Sequence, residues 1–206
     1  LLDAIPATVN PTSDDALSLA SALYVKNMFS LDDSLGIASK LQRMQNAEGE
    51  WSWWKGMNGS VYVTAAVSRL LARLSLCKKG DELTRKMLSD AMPSLITYLQ
   101  KEVEEIKKVR KGGWRKTPSQ TAFDILYIVS VMKYSGFSHS LFESHSKDID
   151  FMLSKLQEHA NNLTIYGKAH AASIFAMNGK KAIAVRFLES MKEYTVYSEE
   201  AGRYYE

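Results

Sequence analysis

The sequence predicts an all-α fold of helical hairpins stacked into an inner and an outer ring, and three observations carry that expectation. The first is a recurring unit, in which a glycine-aromatic loop precedes a nearly all-apolar helix. It appears as GEWSWW at 49–54, as KGGWRKTP at 111–118, and more weakly in LTIYGKAHAASIFAM at 163–177, where Tyr166 and Gly167 stand in for the pair. Such self-similarity at a spacing of some tens of residues marks stacked hairpins rather than one irregular bundle. The second is the alternation that follows: each apolar helix is succeeded by one with a single apolar face. A helix apolar all round must be covered on every side, whereas a striped one lies at the surface, so the alternation builds two layers. The third is the lack of strand-like alternation of useful length. The closing AGRYYE reads as the opening of one more unit.

Taken in order, Ser13 or Asp14 is placed to cap a first helix carrying Leu17, Ala20, Tyr24 and Met28, with Asp15 favourable in its first turn. Leu31-Asp32-Asp33-Ser34 opens a second, bearing Leu35, Ala38, Leu41 and Met44, with Gly49 suited to a left-handed closing turn. After the tryptophan loop, Val63, Val67, Leu70, Leu71 and Leu74 give an i, i+3, i+4, i+7 stripe over a helix from about Val61 to Leu76. Lys78-Lys79-Gly80 ends it. A long stretch from about Asp81 to Arg110 contains Pro93, which predicts a break or kink near Ala91-Met92. The helix over 121–132 is apolar on most sides. Its partner carries Leu141, Ile149, Met152, Leu153 and Leu156 on one face. A helix from Ala169 to Met177 and a striped partner from Lys180 to Lys192, joined by Asn178-Gly179, complete the pattern.

At 206 residues with four prolines and no Pro- or Gly/Ser-rich linker, residues 1–206 read as one domain. The net charge of +3 is small, and the densest charged stretch, KEVEEIKKVRK at 101–111, mixes signs. With Val103, Ile106 and Val109 spaced by three it reads as the solvated end of an amphipathic helix rather than a nucleic-acid patch. The single cysteine, Cys77, excludes an intrachain disulfide and reads as a half-buried structural residue. No apolar run is long enough to span a bilayer. The abrupt start and apparent half-repeat at the end suggest a piece of a longer protein.

With the repeats in place, LQRMQNAEGEWSWWKGMNGSVYVTAAVSRLLARL at 41–74 resembles the bacterial alpha-2-macroglobulin family. The shared pattern is a helix, Met-Gln, an acidic-Gly-x-Trp-Ser-Trp segment and a Tyr-Val-Thr-Ala helix. Gln45, Gly49, Trp51, Ser52, Trp53, Tyr62, Val63, Thr64 and Ala65 match it, and residues 166–205 resemble the downstream hairpins of the same domain. The resemblance implies the thioester-domain region, an α/α toroid similar in shape to terpenoid cyclases and protein prenyltransferases, here an incomplete toroid of about four hairpins. It also implies a large periplasmic or secreted protein that inhibits endopeptidases by entrapment, with other domains of that parent and target proteases as partners. One departure bears on mechanism. Thioester members carry Cys-x-Glu-Gln before the first helices, and IPATVNPTSDDALSLA at 5–20 has neither Cys nor Gln. The expectation is a module without covalent capture.

The same toroid hosts enzymes, and the fold alone does not exclude their chemistry. His139, His145, His159 and His170 show no paired ligand spacing with Cys77, and His139 and His145 read as solvent-facing, so no metal is expected. Asp14-Asp15 and Asp32-Asp33 fall where helices begin and read as caps rather than magnesium ligands. A glycan-active toroid would need two carboxylates across a cleft and an aromatic platform, to which Trp51, Trp53, Trp54, Trp114 and Tyr166 could contribute. Aromatics at repeat junctions are better explained as wedges between hairpins, above all Trp51 and Trp114. Trp53 and Trp54 are adjacent and cannot both point inward. No catalytic, cofactor, metal or thioester residue is expected, and the alternative kept open is a glycan-binding or glycan-active domain.

Overall fold

A computed structural model of the chain describes residues 10–33, 35–77, 79, 81–109, 117–137, 139–200 and 202–205. Among them the fold is all-α apart from one short hairpin. The helices are α1 (Ala16–Met28), α2 (Ile37–Met44), α3 (Val61–Leu76), α4 (Glu82–Lys108), α5 (Gln120–Tyr134), α6 (Ser140–Ser144), α7 (Ser146–Glu158), α8 (Ile165–Met177) and α9 (Lys181–Lys192). One row runs α1–α3–α5–α8, each helix packed on the next. In a second row α4 touches α2, α6 and α7, and it also leans on α3 and α5, while α9 pairs with α8. A continuous apolar core lies between and within the rows.

The distinction between apolar and striped helices decides which row each joins. In α5, nine residues from Ala122 to Met132 are buried, whereas α7 buries only Ile149, Met152, Leu153 and Leu156. The predicted span of α3 coincides with the observed one, and Val63, Val67, Leu71 and Leu74 are fully enclosed.

Several local expectations are corrected. The first cap is Asp15, whose carboxylate accepts from the backbone N–H groups of Leu17 and Ser18, both at 2.9 Å. Asp33 serves α2 from further ahead, accepting from Ile37 N and Ala38 N, so Leu35 falls outside the helix and is exposed. Pro93 does not break α4. Its ring lies on the exposed side, while Ala91, Met92, Leu95 and Ile96 are buried to either side and the helix runs on to Lys108. The charged end of α4 is not wholly solvated either. Glu102 is buried, its carboxylate accepting from Ser119 N at 3.0 Å and from the Tyr98 hydroxyl at 3.3 Å.

The predicted partner of α5 is two helices, because the chain turns at His145. Neither His139 nor His145 is simply solvent-facing. His139 Nδ1 accepts from Leu141 N at the start of α6, and His145 Nδ1 lies 3.1 Å from Gln100 Nε2 on α4. Cys77 closes the exposed end of α3 and is exposed rather than half-buried. The last residues form an antiparallel hairpin, β1 (Thr195–Ser198) with β2 (Gly202–Tyr205), pairing Thr195 with Tyr205 and Ser198 with Gly202. The alternation in Thr195-Val196-Tyr197-Ser198 is too short to have been recognised as a strand. No described helix is long and apolar enough to cross a membrane.

Candidate functional site

Two regions hold the side chains that sequence and structure single out: the tryptophan loop between α2 and α3, and a cleft on the exposed side of the α1–α3–α5–α8 row.

In the loop, Trp51 is completely buried. Its backbone N–H donates to Thr64 Oγ1 and its indole Nε1 donates to the Leu41 carbonyl, both at 2.9 Å, tying α3 to α2. Gln45 Nε2 donates to the Gly49 carbonyl at 2.8 Å and to the Met87 carbonyl on α4 at 2.9 Å. Gly49 has φ +78°, and a Cβ there would lie 1.7 Å from the Asp90 carbonyl oxygen. Only glycine permits both that backbone and that approach. The loop is therefore a wedge among α2, α3 and α4, the role expected of Trp51.

The other aromatics behave differently. Trp53 and Trp54 are 46% and 56% exposed, a tilted pair with ring centroids 6.4 Å apart. The loop uses their carbonyls instead, Trp53 O accepting from Ala16 N and Trp54 O from Met57 N. Tyr166 is no wedge. Thr164 caps α8 by accepting from Gly167 N at 3.1 Å, so the helix begins at Ile165 and Tyr166 projects, largely exposed, from its first turn. Trp114 lies outside the described residues.

Sequence reasoning missed the cleft. Three helices of the apolar row keep an accessible stripe: Tyr62, Arg69 and Arg73 on α3, Asp124 and Tyr127 on α5, and Tyr166, Ala169 and Ser173 on α8. Spacings of three, four and seven put each set on one helix face. Between them lies a cleft of about 230 Å³ lined by Arg69, Arg73, Tyr127, Tyr166, His170 and neighbouring small residues. Arg69 Nη1 meets Asp124 Oδ1 at 3.1 Å and reaches the Tyr166 hydroxyl at 3.5 Å. The Arg73 guanidinium stands 5.4 Å from the Tyr24 ring centroid, a cation–π contact that leaves its N–H donors free to turn outward.

His170 closes the cleft from below. It is 8% exposed, packed beside Tyr127 at 4.4 Å, Phe123 at 4.8 Å and Tyr166 at 5.8 Å between ring centroids. Its buried Nδ1 has no hydrogen-bond partner. Burial, reinforced by the Arg69 and Arg73 charges, lowers its pKa to about 4, so the ring is neutral near pH 7. Burial raises the Asp124 carboxyl above its ordinary value, against the pull of Arg69, and burial likewise raises the Tyr127 hydroxyl. The available signal was a repeated polar interruption of apolar helices, at Arg69 and Arg73, Asp124 and Tyr127, Tyr166 and His170. No cluster of three metal-ligating side chains occurs among the described residues.

No protein-family model matches this chain. No curated protein matches it either.

Proposed function

We propose that the chain is a thioester-domain-like module of a bacterial alpha-2-macroglobulin-type endopeptidase inhibitor, built as a sector of an α/α toroid and acting without covalent capture. The observation that carries this reading is the behaviour of the motif residues on which the resemblance rests. Gln45, Gly49, Trp51 and Thr64 are knots of one loop that locks three helices together. Residues of that kind would persist wherever the fold persists, whatever becomes of the thioester. The two rows of helices are the arrangement that a toroid sector requires. The segment over 5–20 offers no thiol and no glutamine from which to close a thioester. The parent would then act by non-covalent entrapment in the periplasm or outside the cell, this module serving as an interface that moves when a bait segment elsewhere is cut.

The test uses the full-length parent incubated with several endopeptidases and assayed on one large protein and one small peptide substrate. Entrapment excludes the large substrate and spares the small one. Undiminished hydrolysis of both by every protease tried would refute the inhibitor role. A second reading, a glycan-binding or glycan-active toroid, draws on the exposed Trp53–Trp54 pair, since adjacent indoles on one loop can stack on sugar rings.

A further inference from the structure

We propose that the cleft between α3, α5 and α8 is a binding site for a small oxyanion, a carboxylate or a phosphate, held by Arg73 and Arg69 with hydroxyls from Tyr127 and Tyr166. Three independent features support it. The first is unbalanced charge. Two guanidiniums line the cleft and one carboxylate, Asp124, answers them, already engaged by Arg69. Arg73 has no carboxylate within ion-pair distance among the described residues and is braced by the Tyr24 ring. A guanidinium presents a planar fork of donors that matches carboxylate and phosphate oxygens.

The second is His170, a side chain more than nine-tenths buried, lining the cleft, with an unpaired ring nitrogen. Buried polar atoms without partners are rare in folded proteins, and they concentrate where a ligand or a proton completes the arrangement. An anion in the cleft would offset the Arg69 and Arg73 charges, which reinforce burial in keeping the ring neutral. Anion binding and His170 protonation are therefore linked, each favouring the other. The third is size and lining. At about 230 Å³ the space falls below the range of drug-sized pockets, and its walls are tyrosine and histidine rings with polar tips. A single oxyanion, alone or on a small planar body, fits that description.

The experiment uses the chain described here, so it does not depend on the inhibitor reading, and its failure would leave that reading standing. The histidine ring signals are followed by NMR while sodium benzoate or inorganic phosphate is added at constant ionic strength. The expected result is a saturable shift at His170 with either probe or both, no comparable shift at His139, and a His170 pKa that rises with the anion. Saturation by benzoate alone would assign a carboxylate, and by phosphate alone a phosphate. Arg73→Gln should weaken binding about tenfold or more through loss of a charge-assisted contact. Asp124→Asn should tighten it by removing the competing carboxylate. Circular dichroism and an unchanged His139 signal certify that each variant is folded. No saturable shift with either anion, an equal shift at His139, or undiminished binding by folded Arg73→Gln overturns the proposal, as does weaker binding by folded Asp124→Asn.

Discussion

The tryptophan loop and the cleft on the α1–α3–α5–α8 row lie at opposite extremes of polar satisfaction. In the loop the Trp51 indole and backbone N–H and the Gln45 amide all have partners at 2.8–2.9 Å. In the cleft, His170 Nδ1 has none and two arginines face one carboxylate. Full satisfaction is how a structural joint looks, because each unmade buried hydrogen bond costs free energy. Incomplete satisfaction survives where something else is gained, and the folded chain carries the cost. The residues that catch the eye in the sequence thus hold the molecule together, while the chemically unfinished place sits on helices that read as plain core.

The largest effect should come from the loop. Trp51→Ala would leave a cavity among α2, α3 and α4 and strand the Leu41 carbonyl, and should destabilise the chain by about 3–5 kcal/mol. Urea unfolding followed by far-ultraviolet circular dichroism measures it. A loss under about 1 kcal/mol would mean that the loop is not a wedge, and the comparison would lose one of its sides.

The cleft should show itself through pH. Burial lowers the His170 pKa in the folded chain to about 4, from an ordinary 6.5. The unfolded chain therefore binds more protons between those values. Stability from this group is full above pH 6.5 and is lost as pH falls toward 4, by about 2–3 kcal/mol at the lower end. Arg69 and Arg73 from α3 act on the ring, and Tyr127 from α5 and Tyr166 from α8 pack against it; Asp124 from α5 is paired with Arg69, and Tyr24 from α1 lies beside Arg73. Since Asp124 also titrates on the acid side, the clean measurement is a difference against His170→Phe, which keeps a ring beside Phe123 and Tyr127. The wild type should lose stability relative to that variant as pH falls from 6.5 to 4. Parallel curves would show that the histidine is not buried neutral.

Much of the fold was legible in the sequence, for a physical reason. Burial on most sides leaves its mark at most positions of a helix, so α3 and α5 announce their row directly. Capping is local, so the first cap was placed at Ser13 or Asp14, within two residues of the observed Asp15, and the Leu31–Ser34 opening includes Asp33, which serves α2 from four residues ahead. What stayed hidden depends on distant partners. Glu102 looks like surface charge until Ser119, seventeen positions on, is seen donating to it. Pro93 looks like a break until its ring is seen to face outward. Tyr166 imitates the loop tryptophans because an exposed first-turn aromatic and a buried wedge share one residue type. The cleft was least legible of all, since Arg69, Asp124 and His170 become neighbours only once three helices lie side by side.

The smallest effect should come from a residue of the same type as Trp51 and only three positions from it. Trp54→Ala removes an indole that is more than half exposed and stands 6.4 Å from the Trp53 ring, centroid to centroid. The loop does not rely on that ring. It relies on the Trp54 carbonyl, which accepts from Met57 N at 3.2 Å and from Ser52 Oγ at 2.7 Å, and alanine keeps that carbonyl. Exposed substitutions that leave backbone bonding intact fall within about 0.5 kcal/mol, so the urea midpoint should barely move. The same variant sharpens the functional choice, because an indole kept exposed without structural benefit needs a use outside the fold. Immobilised soluble glycans that retain the wild type but release Trp54→Ala, at unchanged stability, would move the assignment toward the glycan reading. Equal behaviour of the two proteins on every glycan would leave the exposed pair as part of a surface that meets protein.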